Sequence, residues 1–307
     1  MSERFKNILV VRSDRLGEFL LNIPAIRALK ETYPDAKITL AVNADVKELA
    51  GAVEYADEVV VWDDVFRKGL RRRMFDACVV LNPTKEAHLA CFFAGIPVRA
   101  GYNRKWGILL TQKIADNKGL GLKHEVESNL ELVSLIGAKT NDKSISLGRL
   151  PSYNNPEYTG AIAVHPYTSD ALKQWPIEQF RRLIKKLAEE SKYKVIIVGK
   201  EEFACPGLGS FDGLGSNVIN LINRTSLVEL AQILKQCRLL VTCDSGPMHL
   251  AEAAGTSVVA LFRNDIPGKA ALRWGPRHNN SIVIEKNNLS LVSVDEVFDK
   301  TKELLNK

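Results

Sequence analysis

The sequence predicts an α/β protein made of two similar open domains, each built on a parallel sheet. Two observations carry this prediction. Short apolar runs rich in Val and Ile recur along the chain, and most are followed by a stretch with helical spacing. The alternation breaks at a polar stretch rich in Asn, Ser, Gly and Pro, then restarts beyond it. A length of 307 residues is long for one core and comfortable for two.

In the first half the strands are "NILVVR" (7–12), "KITLAV" (37–42), "EVVVWD" (58–63) and "DACVVLN" (76–82). Uninterrupted apolar runs of this length suit strands covered on both faces. Between the first two, Leu20, Leu21, Ile23, Ile26 and Leu29 repeat at mostly helical spacing until Pro34. A strand–helix–strand unit of this kind requires parallel strands. The pattern blurs over 100–123, and a helix follows at 124–138. "KTNDKSISLGRLPSYNNPEYTG" (139–160) is the linker. Strands are then expected at 161–166, 194–199, 218–223, 239–243, 257–262 and 281–285. Helices are expected at 176–190, 226–237, 247–255 and 293–305.

Composition is that of an ordinary globular protein, 46% hydrophobic and 25% charged, with a net charge of +6. A mildly basic surface suits anionic partners without choosing among them. Cys78, Cys91, Cys205, Cys237 and Cys243 form no CxxC pair, so free thiols in a reducing compartment are expected, with no metal site. Neither a signal peptide nor a membrane span is legible, which points to the cytoplasm. GxGxxG and GxxxxGK[ST] are both absent, which argues against a dinucleotide dehydrogenase and a P-loop enzyme.

Ligands of open α/β sheets bind beyond the carboxyl ends of the strands, so the turns there carry the chemistry. In "VTCDSGPMHLAEAAG" (241–255), Asp244 or Ser245 is placed to cap a helix, Pro247 suits its first turn, and Gly246 allows close approach to the backbone. Such a turn is an anion site into which His249 would donate; a merely capped helix with a partly buried histidine has the same letters. In "HPYTSDALKQWP" (165–176), Thr168, Ser169 and Lys173 are candidate phosphate contacts. After the first strand, Asp14 and Glu18 flank Gly17. Either would serve as a general base or simply match a helix dipole. Glu202, or Glu201, is placed to accept from a ribose diol, and Thr225 or Ser226 to cap the next helix.

Taken together, "RSDRLGEFLLNIPAIRALK", "HPYTSDALKQWP", "VGKEE" and "CDSGPMHLAEAAGTSVVALF" resemble glycosyltransferase family 9, the ADP-heptose:lipopolysaccharide heptosyltransferases. The resemblance runs in order along nearly the whole chain. It implies a GT-B architecture: two Rossmann-like domains with parallel sheets facing across a cleft. These are an acceptor-binding domain (1–150), a nucleotide-sugar-binding domain (151–290), and a last helix (291–307) packing back on the first. The implied activity is inverting, metal-independent transfer of heptose from ADP-heptose to a lipopolysaccharide core or related acceptor, without a cofactor. In that scheme Glu18 is the base, with Asp14 the alternative. Lys173 stabilises the leaving phosphate with Thr168 and Ser169. The donor is held by Gly17, Glu202, Thr225, Asp244, Ser245, Gly246, Pro247, Met248 and His249.

The family has Gly-Asp where this chain has Gly17-Glu18, and the carboxylate therefore reaches one methylene further. That departure supports an alternative: a protein that binds nucleotide sugar with weak or lost transfer. Another GT-B-like enzyme, such as a nucleotide-sugar epimerase, is the remaining alternative. "FRKGLRRRM" (66–74) concentrates Arg67, Lys68, Arg71, Arg72 and Arg73, a patch suited to an anionic glycolipid or oligosaccharide acceptor and to peripheral contact with the membrane. A solvated helix face fits it equally. Aromatic interleaving of the kind that binds nucleic acid is missing.

Overall fold

The computed structural model describes residues 5–190, 192–201, 211, 213–277 and 280–307. The chain divides between Arg149 and Leu150 into two compact units. The first contains β1 (Asn7–Arg12), β2 (Lys37–Val42), β3 (Glu58–Val61), β4 (Ala77–Val80), β5 (Val98–Tyr102) and β6 (Gln112–Ile114). Its helices are α1 (Leu16–Leu20), α2 (Ile23–Thr32), α3 (Lys47–Ala50), α4 (Asp64–Gly69), α5 (Lys85–Phe93) and α6 (Glu125–Ser134). The second contains β7 (Ile162–His165), β8 (Val195–Ile197), β9 (Val218–Asn220), β10 (Leu239–Cys243), β11 (Ser257–Arg263) and β12 (Ile282–Lys286). Its helices are α7 (Ile177–Glu190), α8 (Leu227–Gln236), α9 (Gly246–Ala254), α10 (Ala271–Trp274) and α11 (Val294–Leu305).

The two sheets are wholly parallel and share one plan, β3-β2-β1-β4-β5-β6 and β12-β11-β10-β7-β8-β9. In each, the chain moves outward from its first strand, returns, and continues on the other side. The direction of winding therefore reverses between β1 and β4, and again between β7 and β10. Loops leaving adjacent strands diverge there and open a crevice at the carboxyl ends.

The central strands β1, β4, β10 and β7 are buried along almost their whole length, as their apolar runs require. α7 packs Ile177, Phe180, Leu183, Ile184 and Leu187 against its sheet, a stripe at helical spacing. Each such side chain contributes about 2 kcal/mol when fully buried.

Three differences from the sequence reading have local causes. The expected single helix after β1 is two, because Pro24 cannot donate and its ring would meet the carbonyl one turn back; α2 restarts with Ile26 N–H on the Asn22 carbonyl at 3.0 Å. β5 and β6 are additional strands. Arg99 and Gly101 interrupt the apolar run of one, and Gln112 and Lys113 leave the other, at the sheet edge, mostly exposed. α5 buries only Ala87, His88 and Cys91 on its inner side, too small a stripe to announce a helix.

The linker is pinned at both ends. Arg27, 2% exposed, holds Asp142 through its carboxylate and its carbonyl, each at 2.8 Å. Gly148 bridges Val53, and Ile145 and Leu147 are buried. On the other side, Gln236 takes the backbone N–H of Asn155 on Oε1 and that of Gly160 on its carbonyl, each at 2.8 Å. Val297, Phe298, Leu304 and Leu305 of α11 join the core of the second unit, against α7 and β10–β12.

Candidate active site

At the first switch point, β1 ends in Arg12, a residue 2% exposed. Its Nη1 donates to the Leu81 carbonyl after β4 at 3.0 Å, and its Nε meets Asp14 Oδ1 at 2.6 Å. Burial raises the Asp14 pKa; Arg12 opposes this and Glu18 adds to it. The two predicted carboxylates are thus electrostatic neighbours. Glu18 stands in the first turn of α1 and pairs with the largely exposed Arg15. Gly17 is buried beneath it.

Lys118 and Glu125 belong to the same environment. Their Nζ–Oε1 distance is 2.7 Å, with Glu125 buried and Lys118 partly buried, and Lys118 lies 4.3 Å from the Tyr102 ring centroid. Burial lowers the Lys118 pKa, against the pull of Glu125. Nothing in the blurred stretch 100–123 signalled this cation, because it comes from a short turn after β6.

At the second switch point, the loops after β7 and β10 are joined by an ion pair. Lys173 Nζ lies 2.5 Å from Asp244 Oδ2. Lys173 ends a 3-10 turn, Ala171–Lys173, capped by Asp170, whose carboxylate accepts from Leu172 N–H at 3.1 Å and pairs with Lys269 at 3.2 Å. Trp175 anchors the turn from inside. It is fully buried, with its indole N–H on the Val292 carbonyl at 3.1 Å and its ring edge-on to Phe180. Gln174, which sequence reasoning passed over, staples the loop. Its Nε2 donates to the carbonyls of Pro166 and Trp175 at 2.7 and 2.6 Å, and its Oε1 accepts from Thr168 N–H at 3.2 Å.

Ser245 is the N-cap residue of α9, yet its side chain makes no cap hydrogen bond. Its hydroxyl lies 3.1 Å from Thr242 Oγ1 and 3.4 Å from His165 Nδ1, and His165 Nδ1 is 3.0 Å from Thr242 Oγ1. Burial pushes His165 down to about 4, so the ring is neutral at physiological pH. Ser245, Gly246 and Pro247 are half-exposed, whereas Met248 is wholly buried and His249 is 3% exposed. The edge open to a ligand is therefore Ser245–Gly246–Pro247. Thr168 is 6% exposed and Ser169 is exposed.

The β7 loop continues into a pocket of about 210 Å³ lined by Tyr167, Glu201, Phe211, Asn220, Ile222, Asn223 and Arg224. Asn223 takes a left-handed conformation, φ 61°, and braces Glu201: its Oδ1 accepts from Glu201 N–H at 2.9 Å and its Nδ2 donates to Glu201 Oε2 at 3.0 Å. Gly199, at φ 145°, is required here, because a Cβ would lie 2.7 Å from the Tyr167 ring. Glu202 lies outside the described residues. Ser226 caps α8 in a capping box with Glu229, and Thr225 precedes it half-buried. Asn223 and Tyr167 were not legible as site residues, since each acts through a conformation or a neighbour.

The five-residue basic patch is divided. Arg67 pairs with Asp64 and stacks on Trp62 at 5.9 Å. Arg73 pairs with Glu58 at 2.6 Å, and its carbonyl accepts from Asn7 Nδ2 at 2.7 Å. Asn7 and Glu58 are the first residues of β1 and β3. Arg73 therefore sits at the amino edge of the sheet. Lys68, Arg71 and Arg72 are exposed.

Two Rossmann-ordered units, one presenting a cation beside an open helix start and a pocket of nucleoside size, define a GT-B glycosyltransferase. Comparison with known proteins agrees. The profile of glycosyltransferase family 9 (heptosyltransferase) matches residues 65–300, and the chain belongs to that family. It is similar to lipopolysaccharide heptosyltransferase 2 of Salmonella typhimurium, 25% identical over 293 residues that span 85% of this chain and 83% of the relative. Its fold is similar to that of E. coli ADP-heptose lps heptosyltransferase II, with a TM-score of 0.80 at 22% identity over 98% of both chains. E. coli heptosyltransferase WaaC with ADP gives 0.78 at 18% identity, over 97% of this chain and 99% of that one.

Proposed function

We propose that this chain is an inverting, metal-independent glycosyltransferase that moves heptose from ADP-heptose to a lipopolysaccharide core or a related anionic glycolipid. The observation that carries this reading is the Lys173–Asp244 pair beside the open Ser245–Gly246–Pro247 edge, continuous through the β7 loop with the Tyr167–Glu201–Asn223 pocket. The pocket takes the nucleoside, with Glu201 on the ribose diol. The helix start takes the diphosphate, to which Thr168 and Ser169 donate. Heptose and ADP are carried over from the names of the relatives.

The reaction is a single displacement. The acceptor hydroxyl oxygen bonds to the anomeric carbon while the bond from that carbon to the diphosphate breaks. The hydroxyl proton passes to Glu18, and the bonding electrons leave with ADP. Charge then grows on the departing phosphate, where Lys173 neutralises it. Asp14 is fixed beside Glu18 by Arg12. The acceptor is lipid-linked, and the enzyme works in the cytoplasm at the membrane surface.

Calorimetric titration with ADP, UDP, GDP and CDP in chelator-containing buffer tests the donor site. The reading requires ADP to bind best, and Lys173→Ala to weaken it at least about tenfold. Equal affinity for all four nucleotides, or indifference to the substitution, would overturn the donor assignment. Gly17-Glu18 favours one second reading, a donor-binding protein without turnover, for which ADP binds but no acceptor is glycosylated.

A further inference from the structure

We infer that the outer face of the layer formed by α4, the 3-10 turn Leu70–Arg73, α5 and the segment 103–110 docks on an anionic phospholipid bilayer. Phe66, Leu70, Ala87 and Cys91 pack α4, that turn and α5 on one side of the first sheet. Their outer side carries Phe92, Phe93, Trp106 and Ile108, exposed by 42, 73, 50 and 79%. These four are linked in space. Phe92 and Phe93 have ring centroids 5.5 Å apart, and Arg99 lies 5.5 Å from the Phe92 ring. Arg99 Nε donates to the Leu109 carbonyl at 2.8 Å, and Lys85 Nζ lies 5.2 Å from the Trp106 ring.

The Trp106–Ile108 tip is held out by its backbone. Lys105 and Trp106 are consecutive left-handed residues, φ 41° and 48°, a costly conformation for side chains of this size. Buried His88 fixes it, with Nδ1 2.9 Å from the Lys105 carbonyl. Strain maintained to present an exposed indole and an isoleucine has no purpose in the core below.

The charge around the stripe selects the occupant. Lys85 borders it at the Trp106 ring, Arg99 at the Phe92 ring, and Lys105 immediately precedes Trp106, while Phe and Trp supply interfacial anchors. That pairing of apolar anchors with cations is what an anionic headgroup layer binds. The proposal rests on the reading of a lipid-linked acceptor, which makes a lipid-facing surface useful.

The test is flotation of the full chain with vesicles of phosphatidylcholine containing one third phosphatidylglycerol, free of any glycolipid acceptor, so it can fail independently of the transfer reaction. The protein should float with these vesicles, and at least about tenfold less with pure phosphatidylcholine or in high salt. Brominated lipid should quench its tryptophan fluorescence through Trp106. Phe93→Ser with Ile108→Ser, both at exposed positions, should lower binding at least about tenfold while leaving ADP affinity and transfer to a delipidated acceptor unchanged. Absence of flotation, or flotation and quenching unaltered in the double variant, would overturn the proposal. So would a dimer in sedimentation that the double variant dissolves, which would assign the face to a second copy of the chain.

Discussion

Lys173 and Asp244 lie 71 residues apart in sequence, yet their side chains meet at 2.5 Å across the switch point of the second sheet. The pair places a cation at the start of α9 and fixes its direction. Lys173→Ala should lower kcat by about 10²–10³-fold, the cost of losing one donor aimed at developing charge. Because Lys173 is partly exposed, stability should fall by only about 1 kcal/mol. Steady-state kinetics beside thermal unfolding separates the two. Near-normal kcat would remove the lysine from the reaction.

Glu18 and Asp14 answer different questions. Glu18→Gln keeps size and removes proton uptake, so kcat should fall at least about 100-fold with ADP affinity unchanged. Asp14→Asn takes the carboxylate from the buried Arg12 guanidinium and should cost about 1–3 kcal/mol of stability. Loss of turnover in Asp14→Asn at unchanged stability, with Glu18→Gln active, would make Asp14 the base.

His165 imposes a pH dependence on folding. Its folded pKa is lowered to about 4 from the usual 6.5, so its stabilising neutrality is complete above pH 6.5 and lost as pH falls toward 4. Over that window the native chain should lose about 3 kcal/mol relative to His165→Asn, with no further divergence below it. Urea unfolding at a series of pH values reads this directly. Parallel stability curves for the two proteins would contradict it.

Gln174→Ala should loosen the donor loop. It removes two donations, to Pro166 and Trp175, and one acceptance, from Thr168. A stability loss of about 1–2 kcal/mol is expected, with a higher donor KM. An unchanged KM would mean that Trp175 alone sets the loop.

The sequence made legible whatever local pattern alone determines. β1 and β2 match their apolar runs residue for residue, and the turns at Asp14–Glu18, Thr168–Lys173 and Asp244–Pro247 all fall beyond strand ends as expected. Long-range or conformational roles were hidden. Lys118 finds Glu125 through a turn with no periodicity, Asn223 braces Glu201 from a left-handed backbone, and Gln174 works through three backbone groups. Charge in the basic run 67–73 says nothing of sheet edge. Arg73 faces Glu58 and Asn7 at the amino end, and only the fold reveals that.

The most direct measurement is release of ADP from ADP-heptose, with product mass, in the presence and absence of a heptose-accepting lipopolysaccharide core oligosaccharide and a chelator. The account predicts ADP release only with acceptor present, a matching gain of one heptose on that acceptor, and no effect of the chelator. Release of ADP without acceptor, or tight ADP binding with no heptose transferred, would contradict it.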